Sequence, residues 1–191
     1  MKWRVQPCTS ALRVAAVLCG LATGWPPASA QSAWAPTGAW LQVGSADETQ
    51  TLTAGLVWDW SWQRRIGRGV INGYWEASIG RWHSNEDAGS SAYWVTQVGL
   101  TPTLRWQPGS WPEGLLLEAG IGLNSLVPIY RSGDKRFSTA FNFGDHIALV
   151  RQFGEGRREE LALRLQHYSN AGIRHPNPGE NFVQLRYTHR F

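Results

Sequence analysis

The sequence predicts an all-β protein: an eight-stranded antiparallel transmembrane β-barrel of the outer-membrane type. Three observations carry this. Apolar and polar residues alternate with period two almost from end to end, and no segment sustains a 3.6-residue apolar period. Compact connections at Trp62–Gly69, Gln107–Gly114 and Gln152–Arg158 follow the even strands. Longer polar ones at His83–Ser91, Ser125–Arg136 and Asn170–Asn181 follow odd strands, the arrangement of short turns at one barrel end and long loops at the other. The apolar faces carry Trp near strand ends, as membrane-interface girdles require.

The elements follow in order. A first strand is expected near 38–47. The second has Leu52, Ala54, Leu56, Trp58, Trp60 and Trp62 on one face against Thr51, Thr53, Asp59 and Ser61 on the other. In the third, Ile71, Trp75, Ala77 and Ile79 oppose Asn72, Tyr74, Glu76 and Ser78. The fourth sets Trp94, Val98, Leu100, Leu104 and Trp106 against Tyr93, Gln97, Thr103 and Arg105, and the fifth sets Leu115, Leu117, Ala119, Ile121 and Leu123 against Glu118 and Asn124. The sixth is expected near 137–151, where Phe137, Phe141, Phe143, Ile147 and Leu149 share a parity with the out-of-place Asp145. Either a bulge shifts the register there, or Asp145 sits at a membrane interface. The seventh spans 159–169 and the last 182–191, where Val183, Leu185, Tyr187 and the terminal Phe191 share a parity. A soluble lipocalin-type barrel would place the apolar faces inside, but an eight-stranded interior cannot hold so many Trp and Leu side chains. The opposite faces mix Glu76 and Glu118 with Arg105, Arg164 and Arg186, which suits a charge-paired lumen.

Residues 1–30 stand apart as a secretory signal peptide: Lys2, Arg4 and Arg13, a short apolar run from Val14 to Leu21, and Ala28-Ser29-Ala30 before a cleavage point at Gln31. The run is far short of the ~20 residues of a spanning helix, and Leu18 before Cys19 disfavours a lipoprotein. Residues 31–191 then form a single barrel domain. Without the leader, 15 basic residues face 14 acidic ones, so the pI of 9.4 supports no nucleic-acid partner. Cys8 and Cys19 leave with it, so disulfides and cysteine metal sites are not expected. His83, Glu86 and Asp87 lie in a loop and lack a ligand set, so no metal is assigned to them. Asp145 and His146 are adjacent on a strand and face opposite sides, His175 belongs to a loop, and His189 lies near the turn-bearing end.

The chemistry concentrates near the C-terminus. On the seventh strand Leu161, Leu163, Leu165, His167 and Ser169 share one face. Residues two apart on a strand point the same way, about 7 Å apart at Cα, which lets an imidazole turn toward a hydroxyl. On alternation alone the favoured reading of the pair is an interfacial polar patch above the apolar zone.

The stretch His167-Tyr168-Ser169-Asn170-Ala171-Gly172, followed by Pro176-Asn177-Pro178-Gly179-Glu180, closely resembles the signature of the lipid A 3-O-deacylase (PagL) family of outer-membrane enzymes. The resemblance is specific over Leu165 to Phe191 and elsewhere extends to strand layout and length. It implies a serine esterase that needs no cofactor, localised to the outer membrane with its site at the outer-leaflet side. Lipopolysaccharide would be its substrate, and hydrolysis of the 3-position acyl ester of lipid A would release a 3-hydroxy fatty acid. Carried over by position, Ser169 is the nucleophile, His167 the general base and Glu180 the group that orients the imidazole; some members place the acid one residue further along, where this chain has Asn181. A serine hydroxyl is a weak nucleophile until a base takes its proton, and a carboxylate on the other imidazole nitrogen sets the tautomer and stabilises the imidazolium. Asn170 and the N–H of Gly172 are candidate oxyanion donors, or they shape a turn. A non-catalytic structural or adhesive barrel and an outer-membrane phospholipase or acyltransferase are the alternatives, and a homodimer is left open.

Overall fold

The computed structural model describes residues 34–84 and 93–191; the expected leader, Glu86 and Asp87 lie outside the described residues. Eight long strands form the barrel: β1 (Gly38–Ala46), β2 (Thr49–Asp59), β3 (Gly69–Ser84), β4 (Tyr93–Gln107), β5 (Leu115–Val127), β6 (Phe141–Phe153), β7 (Glu159–Ser169) and β8 (Glu180–Arg190). Each pairs antiparallel with the next, and β1 pairs with β8 from Gly38↔Arg190 to Ser45↔Val183, so the sheet closes on itself. Closure removes the unpaired edges that an open sheet would present to lipid. One turn of 3-10 helix at Glu155–Arg157 is the one helical element among the described residues. No described helix is long and apolar enough to cross a membrane, which says nothing against strands doing so.

The expected alternation holds through the barrel. Outward-facing Leu161, Leu163, Leu165, Val183, Leu185, Ile121 and Ile147 are exposed, Ile121 and Ile147 at 64% and 61%. In water such a continuous apolar exterior would be a severe liability; against hydrocarbon it is what a spanning barrel requires. The inward residues are polar and buried. Glu76 lies between Arg164 (3.0 Å) and Arg186 (2.5 Å), and Arg105 spans Glu118 (2.5 Å) and Glu160 (2.8 Å). This bears out a charge-paired lumen and adds Glu160 to it. Each buried charge has a partner of opposite sign, the condition on which burial is tolerable.

Two apolar clusters close the turn-bearing end: Trp40, Val57 and Tyr74, and Leu116, Ala148, Val150 and Ala162. At the loop-bearing end Trp82, Val95, Leu126, Tyr130, Phe137, Tyr168 and Phe182 form an aromatic plug. Trp82 meets Tyr168 and Phe182 edge-on, with ring centroids 4.8 Å apart in both cases. The plug backs the ends of β7 and β8 from the lumen side and leaves their outward faces free.

The sixth strand departs from expectation at its start. It begins at Phe141, and Phe137 instead leaves the sheet. The hairpin Arg131–Ser132/Lys135–Arg136 folds over the barrel mouth, the Phe137 N–H donates to the Tyr130 carbonyl, and the Phe137 ring enters the plug beside Tyr130. The register from β6 to β7 and from β5 to β6 runs unbroken through Asp145, without a bulge. Asp145 therefore stays on the outward face, while its neighbour His146 is buried in the lumen.

Candidate active site

His167 and Ser169 occupy the last outward positions of β7 at the loop-bearing end, and both are half-buried. Leu165 precedes them on the same face, so the pair sits where the apolar exterior gives way to loops. Among the described residues the Ser169 hydroxyl has no hydrogen-bond partner.

The imidazole is held from β8. His167 and Asn181 are direct cross-strand partners, and His167 Nδ1 lies 2.7 Å from Asn181 Oδ1. With Nδ1–H donated to that oxygen, Nε2 carries the free lone pair, the tautomer a general base needs. Gly179 makes room for the ring: its φ is +70°, and a Cβ there would lie 2.6 Å from His167 Cε1. Only glycine meets both demands, the left-handed backbone and the close approach.

Glu180, expected to orient His167, is not beside it. Its Cα partner is Tyr168, and its side chain, 3% exposed, enters the barrel mouth. There it accepts hydrogen bonds from the Tyr130 hydroxyl (2.8 Å) and Lys135 Nζ (2.9 Å). The reason is parity. Val183, Leu185 and Tyr187 face outward, so position 181 faces outward with them and position 180 faces in. The residue that reaches His167 from β8 is Asn181.

The turn after Ser169 is built from its own polar groups. The Asn170 N–H donates to Asn177 Oδ1 (3.0 Å) and the Gly172 N–H to Asn170 Oδ1 (3.0 Å). The buried Asn170 amide also donates to Ser138 Oγ, Thr139 Oγ1 and the Arg174 carbonyl. Both expected oxyanion donors are thus engaged in shaping the turn. Between them Ala171, at φ +53°, has an N–H with no partner among the described residues. Asn177, which sequence reasoning placed only in a rigid loop, is the clamp that ties the two ends of that loop together.

A groove of about 920 Å³ opens on the outer face. Its rim is polar, with His167, Asn181 and Asp145, and its floor is apolar, with Pro102, Leu104, Ala119, Ile147, Leu165 and Val183, ending at Trp60. The small Ala119 and the flat ring of Pro102 leave the depression between larger neighbours. A polar rim above a long apolar trough matches an amphiphilic ligand with a polar headgroup and a hydrocarbon tail.

The remaining candidates lie elsewhere. His83 packs at a tilt against Trp94 with ring centroids 4.6 Å apart, His175 is exposed in the loop, and His189 Nδ1 lies 2.8 Å from Glu159 Oε1. No group of metal-ligating side chains occurs among the described residues.

Residues 51–190 match the family described as lipid A 3-O-deacylase (PagL). The chain is similar to the lipid A deacylase PagL of Bordetella bronchiseptica, 35% identical over 173 residues, covering 86% of this chain and 89% of that one. It is similar also to the lipid A deacylase PagL of Pseudomonas aeruginosa, 33% identical over 150 residues, covering 76% of this chain and 81% of that one. Its fold resembles the crystal structure of the outer membrane enzyme PagL, with a TM-score of 0.69 and 25% identity over 81% of this chain and 99% of that one. With an eight-stranded closed barrel, an apolar exterior and matches over most of its length, the chain belongs to the PagL family of outer-membrane lipid A 3-O-deacylases.

Proposed function

We propose that this chain is a serine esterase that removes the acyl chain at the 3 position of lipid A, with Ser169 as nucleophile and His167 as general base. The observation that carries the reading is the placement of both groups on the outward face at the end of β7, with His167 at the rim of a groove with an apolar floor and Ser169 two residues further along the same face. A hydroxyl and an imidazole there serve no packing purpose, and nearby hydrocarbon penalises them.

The steps follow from the residues. His167 Nε2 takes the Ser169 proton as Oγ attacks the ester carbonyl carbon, and the imidazolium then gives that proton to the departing 3-oxygen of the sugar. Water, deprotonated by the same nitrogen, hydrolyses the acyl-serine and frees a 3-hydroxy fatty acid. Asn181 keeps Nδ1 protonated and the ring in place through both halves. Asn170 and Gly172 hold the turn, and the unpartnered Ala171 N–H is the donor offered to the oxyanion. No cofactor enters this chemistry. The loop-bearing end faces the cell exterior, so substrate arrives laterally from the outer leaflet, its released chain lying over Ala119 and Leu104 and its sugar level with His167.

Mass analysis of lipid A from cells expressing the wild type and Ser169→Ala tests this. The expected result is loss of one 3-hydroxyacyl chain with the wild type and none with the variant. Equal lipid A masses in both would end the proposal. Incubation of the purified protein with phospholipid separates it from a phospholipase or acyltransferase, since the expected outcome is no phospholipid cleavage and no acyl transfer.

A further inference from the structure

The β8 position that meets His167 bears an amide, so Asn181 orients the ring but brings no charge. A negative charge stands on the other side of the same imidazole. Asp145 of β6 is the direct cross-strand partner of His167, as Asn181 is from β8. Side chains so paired have Cβ atoms about 4.5–5.5 Å apart on one face. Asp145 shares the groove rim with His167 and Asn181, is half-buried, and has no hydrogen bond or ion pair among the described residues.

Its surroundings make that state costly. Ile121 is its partner from β5, and Phe143 and Ile147 flank it on its own strand. An ionisable group on an apolar exterior is destabilising in a way that grows with its depth in the hydrocarbon and is least at the interface, and no structural contact offsets it here. The groups around His167 are few. β6 contributes Asp145, β8 contributes Asn181, β7 contributes Leu165 and Ser169, and the following loop contributes Gly179 against the ring. Glu180 and His146 are turned into the barrel. Asp145 is the one anionic group on this face beside the imidazole among the described residues.

We infer that Asp145 is a positioning residue of the esterase, supplying through His167 the negative charge that Asn181 cannot, and so dividing between two strands the work of one acid. The inference rests on the Ser169–His167 reading above. When Nε2 takes the Ser169 proton the ring becomes a cation, and an ionised carboxylate within about 4–6 Å favours that form. Asp145 accepts no proton: Nδ1–H stays with Asn181 and Nε2–H passes to the leaving oxygen. Because Asn181 still holds the tautomer, removing the charge lowers the rate without abolishing it.

The test uses the purified full barrel in detergent with lipid A, following released 3-hydroxy fatty acid, and in parallel the rate at which an alkyl fluorophosphonate labels Ser169. Asp145→Asn is expected to lower kcat about 10- to 100-fold with KM within twofold, and to slow labelling by a similar factor. Adding Asn181→Glu to Asp145→Asn places a carboxylate on the opposite side of the ring and is expected to restore both rates to within about fivefold of wild type. Unchanged kcat and labelling in Asp145→Asn, or a loss that Asn181→Glu leaves unrescued, overturns the inference. Ser169→Ala separates the two readings. If it leaves lipid A hydrolysis intact, the esterase assignment fails; if it abolishes hydrolysis while Asp145→Asn behaves as wild type, only the role of Asp145 fails. Should Asp145→Asn fold poorly, Asp145→Glu keeps the charge and is expected to retain both rates.

Discussion

His167 and Asn181 face each other across β7 and β8, with the imidazole Nδ1 2.7 Å from the amide oxygen. The contact is neutral, so its work is orientation: it decides which nitrogen carries the proton. Replacing Asn181 by Leu leaves the ring free to rotate and to take the other tautomer. The expected loss in kcat is on the order of 10²-fold, the lower end of what a positioned general base contributes, with KM little changed because the groove floor is untouched. Initial rates of fatty-acid release from lipid A in detergent check it, and a wild-type kcat in Asn181→Leu would sink the assignment.

How much of this was legible beforehand is best judged on two neighbouring positions. Period-two alternation placed His167 and Ser169 outward with Leu161, Leu163 and Leu165, and they are outward. The same rule applied to Val183, Leu185 and Tyr187 puts position 181 outward and position 180 inward, so the parity of β8 already disfavoured Glu180. Glu180 is the carboxylate that the family signature brings by position, and strand parity plays no part in that match. What the sequence did not contain is register. Nothing local says that β6 meets β7 with Asp145 opposite His167, because strand pairing is a property of the closed sheet. The sixth strand shows the same limit. Phe137 carries the parity of a strand residue, but the hairpin of 131–136 carries it into the aromatic plug instead.

Glu180 is then a loop anchor. Its carboxylate holds Tyr130 and Lys135, and Lys135 also bonds Asp47, joining the β1–β2 turn to the loop after β5. Glu180→Gln is expected to keep kcat within about threefold, since the group faces away from His167, while limited proteolysis in the 128–140 loop becomes faster. A loss as complete as that of Ser169→Ala would return Glu180 to the catalytic machinery.

The same anchor has a pH dependence of known sign. The hydrogen bond to Asp47 is the largest influence holding the Lys135 ammonium above the ordinary lysine range; burial opposes it, and the hydrogen bond and charge of Glu180 add to the rise. A cation whose folded value is raised contributes stability that is fully present below the unfolded value, about 10.4, and is lost as pH rises through the folded one. Protection of the 128–140 loop from protease is therefore expected to be flat from pH 6 to pH 9 in buffer and to fall only in strongly alkaline solution. Loss of protection already at about pH 8 would exclude Lys135 as the clamp.

The groove floor makes a prediction about chain length. Ala119 lies between Leu104 on β4 and Ile147 on β6 and is the smallest side chain under the proposed acyl path. Ala119→Trp fills the trough below the rim without touching His167, Ser169 or Asn181. Hydrolysis of a long-chain ester is expected to fall at least tenfold while a butyryl ester is cleaved at nearly the wild-type rate. Equal losses on both would mean that the substitution disturbs the barrel and not the path.

The lumen network makes a prediction about stability alone. Glu76 accepts from two guanidinium groups, Arg164 at 3.0 and 3.2 Å and Arg186 at 2.5 Å, all three buried. Glu76→Leu strands two buried cations with no anion between them, a change that costs about 3–5 kcal/mol when a buried pair loses one member. The cost is electrostatic, so it should be recovered when the cations go too. The triple change Glu76→Leu, Arg164→Met, Arg186→Met is expected to regain most of the stability, although it removes every ion pair the three residues make. Urea unfolding in detergent micelles measures both variants, and kcat on lipid A in the triple variant is expected to stay near wild type, because the network lies on the opposite side of the sheet from His167. A triple variant less stable than Glu76→Leu would show that shape complementarity in the lumen, and not charge balance, carries the stability there.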